Sequence, residues 1–241
     1  MRSITPPFLV MPPAGVRIRT RLRVDAADEQ VLRAVGGYLS RLAGVDLAIR
    51  CRLGHGHDRR AARKRALTAA SSSRWAGALT RTSNDQWQRG WRNLHDARAS
   101  LRQAIRVIDR RLAAPVAGRH GRDRGYATRA ERWQKQRRRQ VLAARLVRVE
   151  TRIRQGRVSV VRGGRRLARN RQHLEAAGLT ERQWRQHWDA DRWFICADGE
   201  TDKAWGNETI RVHPHAGWLE LKLPAPLAEL ANRPHGRYRL S

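Results

Sequence analysis

The chain has 241 residues, 40% of them apolar, and sets 51 Lys and Arg against 21 Asp and Glu, a formal net charge of +30. That apolar share supports a folded core, as one large domain or two small ones, and the charge points to a polyanionic partner, nucleic acid first. No run approaches the ~18 apolar residues of a membrane span. Two distant cysteines, Cys51 and Cys196, exclude a disulfide framework and a CxxC zinc ribbon and fit a reducing cytoplasm.

The charge is uneven. Residues 1–100 carry a net +12, residues 101–172 a net +19 and residues 173–241 a net −1. Only Lys64, Lys135, Lys203 and Lys222 are lysines, so 47 of the basic residues are arginines. A guanidinium forks onto phosphate and stacks on planar rings, which an ammonium does poorly.

Residues 1–15 read as a flexible tail; the short apolar run Phe8–Met11 is cut by Pro12 and Pro13 and is too brief for a signal-peptide core. Residues 16–24 alternate without a break, with Val16, Ile18, Thr20, Leu22 and Val24 on one face and Arg17, Arg19, Arg21 and Arg23 on the other. That period of two predicts a half-buried strand whose cationic face meets phosphate. Asp25 or Asp28 caps a helix through Val31, Leu32, Val35, Tyr38, Leu39 and Leu42. A glycine loop after Cys51 leads to the basic run Arg59, Arg60, Arg63, Lys64, Arg65.

From Thr82 a long helix is written by Trp87, Trp91, Leu94, Leu101, Ile105, Ile108 and Leu112, with Pro115 and Gly118 ending it. Residues 116–125 read as a linker, and a second long helix runs from about Thr128 to Gln155. Val158–Val161 predicts a short strand in a hairpin, followed by short helices over 166–176 and 180–191, the latter capped by Thr180. Three strands close the chain, at Trp193–Cys196, Thr209–Val212 and Trp218–Leu223. The fold class is α+β. Strands at both ends predict a small barrel from residues 16–24 and 193–241, a helical insertion over 25–155, and a hairpin with short helices over 156–192.

Several residues invite chemistry. Cys51, His55, His57 and Asp58 have metal-ligand character, but no second ligand pair lies nearby, and a basic loop with incidental histidines is the expected reading. Gly163-Gly164-Arg165-Arg166 offers amides to a phosphate yet lacks the Walker spacing. Gly44-Val45-Asp46-Leu47 looks like the strand that carries the first carboxylate of RNase H-like nucleases, but it falls in a helical segment. Asp46 is therefore expected to be a surface helix residue. The acids Asp189, Asp191, Asp198, Glu200 and Asp202 cluster without marking a two-metal site. Trp184 and Trp188, four apart on a helix, are expected in the core. Lys135, Arg137, Arg138 and Arg139 form one single-sign run, and Arg162, Arg165, Arg166, Arg169 and Arg171 a second; both are expected to contact phosphate.

Three stretches carry a resemblance to a known family. Arg17–Val24 running into Asp25–Ala34 and Tyr38-Leu39, the capped turn and helix Ser83–Ile105, and the pair Gly206–Val212 and Trp218–Pro224 resemble the TnpB (OrfB) proteins of insertion sequences, in a divergent branch with a longer central region. The resemblance implies the N-terminal portion of a transposon-encoded, RNA-guided DNA endonuclease: a wedge-like barrel and a recognition lobe that hold structured guide RNA, RNA–DNA duplex and DNA. The family's RuvC-type domain and zinc ribbon have no counterpart up to Ser241, so no catalytic carboxylate, metal ligand or cofactor is carried over. The expectation is binding without cleavage, through Arg17, Arg19, Arg21, Arg63, Lys64, Arg137, Arg138, Arg139, Arg165, Arg166, Arg169 and Arg171.

Overall fold

The computed structural model describes residues 22–56, 58–199, 207–213 and 215–240. The expected tail, most of the 16–24 strand with Arg17, Arg19 and Arg21, and His57 lie outside them. Leu22, Arg23 and Val24 are described and form no strand, although Val24 packs against the core.

Asp25 caps α1, Ala26–Arg52, its carboxylate accepting from the Asp28 amide at 2.7 Å. Helix α2 covers Arg60–Ala70, and Ser72 then caps α3, which runs unbroken from Ser73 to Ala113. The helix begins ahead of the expected Thr82 because Trp75, Ala76 and Leu79 all bury on the core side of its first turns. Its 41 residues extend about 60 Å. Pro115 stops it as expected. The following residues are no loose linker: β1, Arg119–His120, pairs with β2, Asp123–Arg124, and buried Tyr126 lies 4.1 Å beneath the Arg111 guanidinium. This tight connection turns the chain into α4, Arg129–Arg154, capped by Thr128, which packs back along α3.

Val158–Val161 form no strand, contrary to the sequence reading, because among the described residues no strand pairs with them; Val158 instead buries against α3. That approach requires Gly90, where a Cβ would stand 2.3 Å from the Val158 side chain. Helix α5, Arg165–Asn170, is shorter than expected and gives way to turns. Helix α6, Glu181–Arg192, starts on Thr180 in a capping box with Gln183. The expected strand at Trp193–Cys196 is an unpaired connecting segment with Phe194 in the core.

The last elements are β3, Ile210–His213, β4, Trp218–Lys222, and β5, Arg237–Leu240, with two 3₁₀ turns between β4 and β5. They pair antiparallel in the order β3-β4-β5, with Leu221 opposite both Ile210 and Tyr238. The sheet is open at both edges, and among the described residues no barrel closes.

The mixed helix and strand class stands, and α1 packs directly on the sheet. Val31, Leu32, Val35, Leu39 and Ala43 of α1, with Trp75, Ala78 and Leu79 of α3, pack onto Leu221, Leu223, Tyr238 and Leu240 in one core. Two polar ties lock this seam, the Tyr238 hydroxyl donating to Asp28 at 2.9 Å and the Trp75 indole N–H to the Lys222 carbonyl at 3.1 Å, while the Tyr38 hydroxyl, donating to the Ala70 carbonyl at 2.6 Å, joins α1 to α2. Trp75→Ala opens a cavity at this seam and strands the Lys222 carbonyl; it should cost about 3–5 kcal/mol, read as a lower urea midpoint, with Trp75→Phe milder. A loss below about 1 kcal/mol would mean that the seam does not hold the fold.

Candidate nucleic-acid interface

Two basic surfaces emerge, one on the α3–α4 arm and one around α6. On α4, ten Lys and Arg face two Glu, and only Leu142 is buried. Arg137 and Arg138 are exposed, and the Arg137 guanidinium lies 5.1 Å over the exposed ring of Trp133. Arg139 differs: it bonds Asp109 across the helix pair, an ion pair that raises its pKa, and it braces the arm together with the Arg102–Glu150 pair. Within the first predicted run, Lys135 is partly exposed, Arg137 and Arg138 face outward and Arg139 is a strut.

The second run also divides. Arg165, Arg166, Arg169 and Arg171 are exposed on and just after α5, with Arg165 donating to the Ser159 carbonyl at 3.1 Å and Arg171 placed 5.7 Å over the Trp184 ring. Arg162 points inward, donating to the Ser40 and Arg192 carbonyls and, at 2.8 Å, to the Ser40 hydroxyl. Burial, with Arg192 nearby, pulls its pKa down to about 10. The Gly163-Gly164 loop is a turn, its Gly164 amide taken by the Val161 carbonyl at 3.2 Å.

Arg63 does not reach the surface. It is buried, donating to both oxygens of Asp46 at 2.8 and 2.7 Å and to the Asp58 carbonyl at 3.0 Å, whereas its neighbour Lys64 is exposed. Asp46 is accordingly no surface residue but a buried counter-ion, at 2% exposure. The sequence reading missed this because residues 17 apart in the chain meet only once α2 folds back on α1. His55 packs against Trp91, ring centres 4.8 Å apart and planes tilted by 38°, rather than joining Cys51 and Asp58, and among the described residues no three His, Cys, Asp or Glu gather as a metal site requires. Asp198 pairs with Arg81.

Trp184 is buried, its indole N–H donating to the Leu167 carbonyl at 2.7 Å, as a core tryptophan should. Trp188 departs from that expectation. It is half-buried, stacked on Trp184 with ring centres 5.4 Å apart and planes 18° apart, and the Arg192 guanidinium lies 4.9 Å over its ring. Trp188 lines two clefts. One, of about 410 Å³, lies beside Arg171, Trp184 and Arg185; the other, of about 790 Å³, lies between α1, residues 157–162 and α6. The spacing Trp184–Trp188–Arg192, four and four on one helix, was the sequence signal for this ladder. Among the described residues no helix is long and apolar enough to cross a membrane. No family model, curated protein or solved structure matches the chain.

Two outcomes test this description. Asp46→Ala leaves Arg63 buried and uncompensated and should cost about 3–5 kcal/mol, while Asp46→Leu with Arg63→Met should restore most of it; denaturant midpoints of the three chains decide. Burial pushes the Cys51 thiol above its usual pKa, while Cys196 is exposed. Less thiolate at Cys51 means that iodoacetamide near pH 8 should label Cys196 well before Cys51 by mass spectrometry; equal rates would contradict the placement of Cys51.

Proposed function

We propose that the chain holds nucleic acid by its phosphate backbone, as the guide-holding N-terminal portion of a TnpB-like, transposon-associated RNA-guided nuclease would, binding structured RNA and RNA–DNA duplex without cutting. The observation that carries this reading is α4, a helix with ten cations and two acids that buries a single side chain. A helix that serves only to pack against its neighbour buries an apolar stripe and mixes charges on its outer face. Here the outer face is cationic and carries Trp133, which suits phosphate contact with a ring available to sugar or base. Arg165, Arg166, Arg169 and Arg171 supply a second such face, and Lys64 a further cation. The family resemblance adds the choice of partner, and the barrel expected from residues 16–24 and 193–241 belongs to the same proposal.

The test is binding of a structured RNA hairpin and an RNA–DNA duplex across a salt series. Log K should fall by about 0.7–0.9 per neutralised phosphate for each tenfold rise in salt. Arg137→Glu with Arg138→Glu should weaken both ligands irrespective of sequence and flatten the slope by about two. A flat salt response, or unchanged affinity in the double variant, would overturn the reading. Preference for one duplex DNA sequence would replace it with a DNA-binding regulator, and divalent-dependent cleavage with an enzyme.

A further inference from the structure

The larger cleft beside Trp188 has a composition unlike that of the arm. Its lining includes four arginines, Arg52, Arg157, Arg162 and Arg192, and no carboxylate. Arg162 is taken up in holding Ser40 and the end of α6 in place, so it fixes the wall rather than meeting a ligand. Among the described residues, Arg52, Arg157 and Arg192 pair with no carboxylate. The rest of the lining is mostly small or apolar, from Gly44, Leu47 and Ala48 on α1 to Val158, Val160 and Val161 opposite. At about 790 Å³ the cleft falls within the roughly 300–1,000 Å³ range of small-ligand sites. Apolar walls, cations at the rim and a planar ladder on one side match a ligand with a flat body and an anionic tail.

Trp184, Trp188 and Arg192 are spaced four apart on α6, and each successive pair is in ring contact: indole on indole at 5.4 Å, guanidinium over indole at 4.9 Å. The last rung is a planar cation lining the cleft, and a guanidinium plane takes a base as an aromatic ring does. An ordinary ion-pairing arginine is held by a carboxylate; this one is held by a ring and leaves its charge for a ligand. The cleft also differs from a duplex-tracking surface. Backbone recognition needs a broad row of cations, whereas a walled cleft admits a base only when it is unstacked from its strand.

We infer that this cleft takes an unpaired nucleobase of single-stranded nucleic acid, stacked on the Arg192–Trp188 ladder, with its phosphate held by Arg52 and Arg157. The inference rests on the proposed nucleic-acid binding and adds a preference within it: strands with unpaired bases over fully paired ones of equal phosphate number. Arg192→Lys isolates the planar contribution, because it keeps the charge and removes the stacking plane. Its carbonyl, which anchors Ser40 and Arg162, is unaffected.

The experiment compares the 241-residue chain on a blunt, fully paired RNA duplex and on an RNA of the same phosphate number that carries an unpaired loop of several nucleotides. Trp188→Ala should weaken the looped RNA about fivefold to a hundredfold and the paired one less than about twofold. Trp188→Phe should recover most of that loss, which separates stacking from a folding defect, and Arg192→Lys should again weaken only the looped RNA. A 5-iodouridine in the loop should photocross-link to residues 184–192 of the unaltered protein. Equal losses on both RNAs, unchanged affinity in Trp188→Ala and Arg192→Lys, or cross-links only outside α6 would overturn the inference. If both RNAs bind equally and Arg137→Glu with Arg138→Glu still weakens both, backbone binding stands and the base site falls. If neither RNA binds, the functional reading itself falls.

Discussion

Where 21 carboxylates go among 51 cations decides what this fold can be. The buried acids among the described residues are Asp28, Asp46 and Glu220, and each holds a partner across the fold. Asp46 neutralises the buried Arg63, joining α1 to α2. Asp28 accepts from Tyr238, joining the start of α1 to the edge strand β5. Glu220 gathers Arg237 at 3.0 Å, Arg239 at 3.2 Å and Arg211 at 3.6 Å across all three strands of the sheet. Asp46 and Glu220 thus serve as counter-ions inside the fold and Asp28 as an acceptor for a neutral hydroxyl, while the positive sign of the chain follows from 51 cations set against 21 acids.

The arginines that find no carboxylate are organised by rings. Arg50 is buried with its guanidinium 3.8 Å over Trp87, and burial together with Arg63 lowers its pKa. Arg111 lies on Tyr126, Arg137 on Trp133, Arg171 on Trp184 and Arg192 on Trp188, while Arg239 lies on Trp218 in addition to its pairing with Glu220. A planar cation gains about 0.5–2 kcal/mol from such a face while keeping its charge. Lysine, a compact and strongly hydrated point charge, fits these stacked sites less well. The 47 arginines are thus a structural material of this chain as well as its charge.

The division between strut and outward cation follows from neighbours. Arg137, Arg138 and Arg139 are consecutive, yet one turn of helix sends the first two outward and brings the third onto Asp109. Lys64 and Arg63 are adjacent, yet one is exposed and the other is enclosed. Residues i and i+1 lie about 100° apart around a helix, so a run of like charges cannot act as a unit.

The sequence by itself determined the signals written in local chemistry. Asp25 and Thr180 as caps, Pro115 as a stop, the long apolar periodicity of α3, the presence of α4 and the strand β4 were all legible, because each depends on residues within a few positions of one another. So was the excess of positive charge along residues 101–172. Only the tertiary structure decided that Asp46 and Arg63 are a buried pair, that α1 covers the sheet, that Val158 packs on Gly90 instead of pairing as a strand, and that Trp188 stands in a cleft rather than in the core. Each of these depends on which surface a distant segment brings alongside, and burial, unlike helical periodicity, is a property of the neighbour as much as of the residue.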